Sequence, residues 1–159
     1  MAKLKPLALL GLGCGFLVLL GVAAMVGLFV WVAAEPENIE VTIEAPLNVS
    51  EGERFPARVR IRNTASDQQR LVSLDVADEY LAGIAIERTN PPFSSATHIP
   101  IDDTMSYDYD LVIPPGKEVE VQFDLFAVRE GDFSGEIDVC INSSTNFLSY
   151  PIRTIVASR

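Results

Sequence analysis

Apolar and polar residues follow two different patterns along this chain, and one gives way to the other near residue 38. From Leu7 to Ala34 no charged side chain interrupts a run of apolar residues. As an α-helix this run would measure about 42 Å, enough to cross a hydrocarbon core of about 30 Å. The pattern therefore predicts a transmembrane helix over residues 7–34, followed by a short linker over residues 35–38.

The charges that flank the apolar run predict its orientation. Residues 1–6 carry two lysines and the terminal amine, whereas Glu35 and Glu37 follow the run at once. The positive-inside rule then places the N-terminus in the cytoplasm. We therefore expect a single-pass protein of a cell membrane, with an extracytoplasmic domain over residues 39–159.

Two further properties of the apolar run stay open. Val32 and Ala34 are small residues of the kind that precede signal-peptidase cleavage, although the apolar region of a signal peptide is usually about 7–15 residues long. Cleavage after Ala34 would release a secreted binding protein. In an uncleaved helix, small residues four positions apart favour close helix packing. The candidate helix-packing residues are Gly11, Gly15, Ala23 and Gly27.

After residue 38 apolar and polar residues alternate, which is the period of a half-buried β-strand. Strands are predicted near residues 39–44, 55–62, 71–77, 83–88, 107–113, 118–127, 133–141 and 147–156. In the third strand, Val72, Leu74 and Val76 are expected to face inward. Over residues 78–104 apolar and polar residues do not alternate regularly, so we expect a long loop there besides the one short strand.

Seven to eight short alternating strands, with no convincing helix among them, indicate an immunoglobulin-like antiparallel β-sandwich. Three sequence segments strengthen this interpretation: Asn48–Gly52 before the second strand, Ile113–Lys117 before the sixth strand, and Gly131–Ile141. They resemble the immunoglobulin-like modules of bacterial and archaeal surface proteins, such as CARDB-type and NEW3-type domains. The resemblance covers about residues 38–156. It implies a fold and an extracytoplasmic setting, and it carries no catalytic residues.

Charge and cysteine content narrow the classes of partner. Residues 35–159 hold all 22 acidic residues but ten of the 12 basic ones, a formal charge of −12. Nucleic acid and anionic lipid are disfavoured as partners of such a domain. Cys14 lies in the apolar run and Cys140 is alone after it, so no disulfide within the domain is expected.

The second strand carries Arg58, Arg60 and Arg62 on one face. In an immunoglobulin-like topology the acidic strands at 39–44 and 118–127 are its neighbours in the sheet. Each arginine is then expected to meet a carboxylate, with a contribution of about 0.2–1 kcal/mol for each pair. A stripe that binds anions is the alternative.

Few residues offer catalytic or metal chemistry. Serine-protease-like catalysis needs an imidazole, and His98 is the only histidine. A blue-copper site needs two histidines and a cysteine, so His98, Met105 and Cys140 fall one ligand short. We expect neither enzyme activity nor a cofactor. One acidic cluster remains an open calcium candidate, although its spacing matches no EF-hand loop. Its members are Asp102, Asp103, Asp108 and Asp110.

The irregular segment between Tyr80 and Ile101 is the candidate partner-binding loop, because loops on a rigid sandwich often carry binding residues. The alternative is that its apolar residues complete the core beneath a long connection. The candidate binding residues are Tyr80, Leu81, Ile84, Phe93 and His98.

These patterns predict a membrane-anchored, non-catalytic interaction or structural module. A linker of about four residues reaches about 14 Å at most, so the domain would contact a membrane or envelope protein close to the bilayer. The alternative is an accessory subunit that presents a metal or small ligand to a membrane enzyme through Cys140 or the acidic cluster. The sequence predicts neither the identity of the partner nor the oligomeric state.

Overall fold

The computed structural model describes residues 38–159, which form two β-sheets and one short helix. The elements are β1 (Ile39–Glu44), β2 (Asn48–Ser50), β3 (Arg54–Asn63), β4 (Gln69–Ala77), α1 (Asp78–Leu81), β5 (Ile84–Asn90), β6 (Ser95–Ile99), β7 (Thr104–Ile113), β8 (Glu118–Ala127), β9 (Gly131–Ile141) and β10 (Phe147–Ala157). The predicted all-β class is confirmed. The described strands outnumber the predicted ones, because β2 and β6 fall where the sequence indicates a turn and a loop.

The predicted transmembrane helix, the helix-packing residues Gly11, Gly15, Ala23 and Gly27, and the cleavage position after Ala34 all lie outside the described residues. Within residues 38–159 there is no helix long and apolar enough to cross a membrane. The division of the chain into N-terminus, span, linker and outer domain stays a prediction.

The strand order is that of an immunoglobulin-like sandwich. One sheet has the order β1-β3-β8-β5 and the other the order β2-β10-β9-β4-β7-β6. β2 runs parallel to β10, and the remaining strand pairs are antiparallel. The first sheet and the β10-β9-β4 part of the second match the ABED and GFC orders of immunoglobulin domains. The β6-β7 hairpin then extends the second sheet beyond β4.

The core lies between the inner faces of the two sheets. Along β3 burial alternates, so that Phe55, Ala57, Val59 and Ile61 are buried while the arginines between them face outward. The same alternation holds along β8. Because a fully buried aliphatic side chain contributes about 1.5–3 kcal/mol, this layer is the main source of stability.

The predicted inward face of the third strand is wrong in one detail. Val72 is only half-buried, whereas Leu71 is fully buried together with Leu74 and Val76. The register of β4 against both of its neighbours shifts between Leu71 and Ser73. A bulge adds a residue to one strand, which puts Leu71 and Leu74 on the same face although their spacing is odd.

Residues 78–104 are more regular than the sequence indicates. Helix α1 and the strands β5 and β6 occupy the place of the predicted short strand and long loop. β5 contains a register shift between Ile86 and Arg88, and the edge strand β6 is exposed along most of its length. Both features remove the strict alternation by which strands are recognised in a sequence.

The arginine face of β3 pairs with carboxylates as predicted, since β1 and β8 flank β3 in the sheet. Arg60 lies opposite Glu120 and donates to it from Nε at 2.8 Å, while its Nη1 donates to Glu44 at 2.7 Å. Arg62 is 4.0 Å from a carboxylate oxygen of Glu40. Positive and negative charges therefore balance on the outer face of the four-stranded sheet, which argues against an anion-binding stripe.

Candidate functional site

A cleft of about 520 Å³ lies on the outer face of the six-stranded sheet. Strands β7, β4 and β9 form its floor, β6 forms one wall, and the turn after β9 forms the opposite wall. Its lining consists mainly of hydroxyl and carboxyl side chains, with Ile99 and Phe147 as apolar exceptions. We call this feature the acidic cleft.

Alternation along β4 builds the floor of the acidic cleft. Leu74 and Val76 point into the core, so Ser73 and Asp75 point to the outer face of the sheet. Residues paired across neighbouring strands share a face, which brings further polar side chains beside these two. One row across β7, β4 and β9 is Asp108, Ser73 and Cys140, and the next row is Ser106, Asp75 and Asp138.

Asp75 is a buried carboxylate, only 9% exposed. Its Oδ1 accepts a hydrogen bond from the Ser106 hydroxyl at 2.5 Å, and its Oδ2 accepts one from the Cys140 thiol at 3.5 Å. No ion pair reaches it from any residue between 38 and 159. Buried carboxylates are ordinarily paired with a cation. Asp75 instead has two neutral donors, which leaves its negative charge uncompensated.

Asp138 lies directly opposite Asp75, so two acidic side chains share one side of the sheet. Partial burial raises the pKa of Asp138, and the negative charges of Asp75, Glu136 and Asp102 raise it further. Asp138 Oδ1 also accepts a hydrogen bond from the Ser149 hydroxyl at 2.5 Å, and this bond lowers the pKa of Asp138. The local field therefore opposes negative charge and favours positive charge.

Cys140 is fully buried on β9, opposite Ser73 of the cleft floor. Burial, with the charges of Asp75 and Asp138, raises the pKa of its thiol to about 12. The thiolate is the reactive form of cysteine, so this side chain is protonated and inert near neutral pH. Its S–H is a hydrogen-bond donor to the Asp75 carboxylate.

Ser73 sits on the floor with an unsatisfied hydroxyl. It is only 1% exposed and lines the cleft, and its Oγ forms no hydrogen bond of ordinary geometry within the described part of the chain. The hydroxyl lies close enough to the Cys140 sulfur to lower the pKa of that thiol. A buried polar atom without a hydrogen-bond partner costs about 1–3 kcal/mol. The Ser73 hydroxyl is such an atom on the floor of the cleft.

The candidate partner-binding residues of the sequence lie elsewhere. Tyr80 and Ile84 are buried in the core, and Leu81 and Phe93 pack against it. His98 is exposed on β6, with its Nε2 2.6 Å from a carboxylate oxygen of Asp78. The four apolar residues thus lie in the core or pack against it, as in the alternative interpretation, whereas Ile101 at the end of the segment is exposed. The partner-binding role of the segment stays a prediction.

Two contacts hold that segment in place. The Tyr80 hydroxyl lies 3.0 Å from the Thr154 hydroxyl inside the core. The Phe93 ring meets the Tyr107 ring edge-on, with 5.3 Å between the ring centroids. Such contacts add to the burial of these aromatic rings.

The four candidate calcium ligands are not brought together. Asp102 and Asp108 line the acidic cleft, whereas Asp110 pairs with Arg70 at 2.6 Å and Asp103 occupies a turn with a φ of 50°. Over residues 38–159 no group of three or more His, Cys, Asp or Glu side chains is placed to hold a metal ion.

Of the three residues considered for copper, Cys140 is kept apart from the other two. Met105 pairs with His98 on one side and with Val76 on the other, in a row that faces the core. Cys140 belongs to a row on the opposite face of the sheet. The fold therefore does not bring these three residues together as the ligands of a copper site.

Several solved structures resemble the described domain. Alpha-2-macroglobulin of E. coli is 13% identical over 77% of this chain, with a TM-score of 0.51, and the match covers 7% of that protein's chain. The cupredoxin domain of amoB from Nitrosocaldus yellowstonii is 12% identical over 77% of this chain and 88% of its own, with a TM-score of 0.47. The CARDB domain of PF1109 from Pyrococcus furiosus, in complex with di-metal ions, is 14% identical over 78% and 93%, with a TM-score of 0.45.

At these identities the likeness concerns the fold alone. The strand order gives residues 38–159 an immunoglobulin-like fold. CARDB domains are among the structures that the chain matches, as the turn and strand pattern predicts. No protein-family model and no curated protein matches the sequence.

Proposed function

We propose that this protein is a membrane-anchored, non-catalytic module that contacts a neighbouring membrane or envelope protein through the acidic cleft. The observation that carries the proposal is the difference between the outer face of the four-stranded sheet and the acidic cleft. On the four-stranded sheet Arg60 joins Glu44 and Glu120. In the cleft, Asp75 and Asp138 have no cationic partner among residues 38–159. An unbalanced, partly buried charge is a feature that a partner can complete.

The anchor in this proposal rests on the sequence. The apolar run at residues 7–34 fits a bilayer, and the acidic domain follows after a linker of about four residues, about 14 Å when extended. The lipid bilayer is then the first partner, and the second partner must be reachable close to it.

A binding role is favoured over a catalytic one by the state of the two most reactive side chains. His98 is exposed and paired with Asp78 rather than with a nucleophile. The Cys140 thiol is buried, and its pKa is raised to about 12. Neither group is an activated nucleophile of the kind that covalent catalysis uses.

Membrane fractionation tests the anchor. The full chain and a chain of residues 35–159 are expressed in parallel, and the membranes are washed with alkaline carbonate. We expect the full chain to stay in the washed membranes with residues 1–34 present by intact mass, and the shorter chain to be released. A mature chain that begins at Glu35 and lies outside the membrane fraction would contradict the anchor and favour the secreted binding protein.

Metal analysis distinguishes the proposed module from the alternative of an accessory subunit that presents a metal to a membrane enzyme. The full chain, purified in mild detergent without chelator, is expected to carry no stoichiometric metal. A bound metal at one equivalent would favour the accessory subunit that presents a metal to a membrane enzyme.

A further inference from the structure

The acidic cleft has more hydrogen-bond acceptors than donors to satisfy them. Asp75 and Asp138 face each other across β4 and β9, and Asp102 and Asp108 contribute two more carboxylates to the lining. Ser106 and Ser149 each supply one hydroxyl donor, to Asp75 and Asp138 respectively. The ligand that best completes such a lining is a cation that also donates hydrogen bonds.

The wall at Phe147 adds a second kind of contact. Its ring is 44% exposed although it lines the cleft. An aromatic face attracts an ammonium group by about 0.5–1 kcal/mol at an exposed site, and more where water is excluded. A cationic side chain with an apolar stem fits both the acidic floor and this ring.

The arrangement of the acids favours an ammonium group over a metal ion. Calcium takes about six to eight oxygen ligands, but among residues 38–159 no three acidic, histidine or cysteine side chains converge on one point. An ammonium group has three donors. The open acceptors on the floor are the carboxylates of Asp75 and Asp138 and the unpartnered hydroxyl of Ser73.

We propose that the acidic cleft binds the side-chain ammonium group of a lysine on the partner protein. This inference rests on the proposed function, because it names the chemistry of the partner at the same site. Ser73 Oγ then gains the hydrogen bond that it lacks, and the charge of Asp75 gains a counter-ion.

Carbon-detected NMR of side-chain carboxyl groups tests the inference on the full chain in detergent micelles. The probe is lysine blocked at both ends, Nα-acetyl-lysine methylamide, and its uncharged counterpart is Nα-acetyl-norleucine methylamide, both at constant ionic strength. With the lysine probe we expect saturable shifts at Asp75 and Asp138 and at the Phe147 ring. The norleucine probe is expected to leave the two carboxyl signals unchanged.

The pKa of Asp138 gives an independent readout. The groups that face it are Asp75, Glu136, Asp102 and the Cys140 thiol, none of them cationic at neutral pH. An ammonium group bound beside Asp138 favours its charged form. The pKa of Asp138 is therefore expected to fall when the lysine probe is present, and to stay unchanged with norleucine.

Three variants show whether the site is the one named. Asp138→Asn and Phe147→Leu are each expected to weaken binding of the lysine probe, the first by about tenfold or more. Asp67→Asn removes the same charge from an exposed turn outside the cleft, and it is expected to bind like the wild type. Phe147 is partly exposed, so its variant keeps the test valid even where Asp138→Asn alters folding.

Two results would overturn the inference. One is a set of shifts spread over the acidic surface and weakened equally by Asp67→Asn, which indicates general charge attraction. The other is saturable binding of Ca²⁺ in the cleft that displaces the lysine probe, which indicates a metal site. Either result leaves the proposed function open to its own tests, since a partner can occupy the cleft through another group.

Discussion

The Cys140 thiol is kept protonated mainly by its burial and further by the negative charges of Asp75 and Asp138. With a pKa of about 12, its thiolate fraction at pH 8 is lower than that of a fully ionised thiol by about four orders of magnitude. In a Cys14→Ser background we expect iodoacetamide to modify the folded chain very slowly and the unfolded chain rapidly. Mass spectrometry over time measures both rates.

A cysteine introduced in the exposed turn, Glu130→Cys, is the control for reagent and buffer. It is expected to react quickly in the folded chain. Equal rates at positions 130 and 140 would show that the cleft is open to the reagent and that its thiol is not suppressed.

The raised pKa of Asp138 leads us to expect that this residue makes the folded protein less stable as the pH rises. Its pKa in the folded state is raised by burial and by the neighbouring acids. The folded protein then binds more protons than the unfolded one between the two pKa values, so this residue lowers stability as the pH rises through that range. Asp138→Asn cannot acquire the charge. It is expected to be more stable than the wild type at pH 7 by about 0.2–1 kcal/mol.

That advantage should disappear near pH 3, below the ordinary aspartate pKa of about 3.9, where Asp138 is protonated in both states. Urea unfolding followed by circular dichroism at both pH values measures it. Asp67→Asn is the matched control and is expected to show no advantage at either pH. A loss of stability in Asp138→Asn at pH 7 would mean that the carboxylate is stabilising where it lies.

At the scale of the elements, the segment around α1 and β5 contributes to the core. Ile84 is fully buried, whereas Ile101 is 89% exposed. Ile84→Ala is expected to lower the free energy of unfolding by about 2–5 kcal/mol, because it removes buried methyl groups and leaves a cavity. Ile101→Ala is expected to change it by less than about 0.5 kcal/mol. Similar small effects at both positions would return this segment to the role of an exposed binding loop.

The strands of the four-stranded sheet are predicted to be coupled by their charges. A double-mutant cycle on Arg60 and Glu120, which lie opposite each other at 2.8 Å, should give a coupling of about 0.2–1 kcal/mol at low salt. Arg62 and Glu40, 4.0 Å apart, should give less. Both couplings are expected to shrink as salt is added, and a coupling independent of salt would contradict their electrostatic origin.

How far the elements are predictable depends on how regularly they alternate. β1, β3, β8 and β9 keep one side chain in and the next one out, so their faces and the arginine–carboxylate contacts follow from the sequence. β5 and the bulge at Leu71 do not follow, because a register shift breaks the period. In β6 exposure on both faces leaves no apolar stripe to detect.

The acidic cleft is harder to predict for a different reason. Ser73, Asp75 and Asp138 each look like ordinary outward-facing residues of separate strands. They become one site only because β4 lies between β7 and β9 in the sheet. The available signal is the series of small polar residues at alternate positions of β4, β7 and β9, and its meaning depends on knowing which strands are neighbours.

At the scale of the whole molecule, the two outer faces of the sandwich differ in kind. The face with β3 at its centre is neutralised by its own arginines. The face with β4 at its centre has the ion pairs Arg70–Asp110 and Arg153–Asp132, but its Asp75 and Asp138 have no cationic partner in the described range. We therefore expect the two faces to differ in what they bind.

Photo-crosslinking in native membranes compares the two faces most directly. A benzoylphenylalanine replaces Thr97, which is exposed in the wall of the acidic cleft, or Thr42, which is exposed on β1 of the other face. We predict that position 97 of the full chain crosslinks to one discrete membrane or envelope protein and that Asp138→Asn weakens this crosslink, while position 42 gives none. Equal crosslinking from both positions, or crosslinking from position 42 alone, would contradict the acidic cleft as the binding surface.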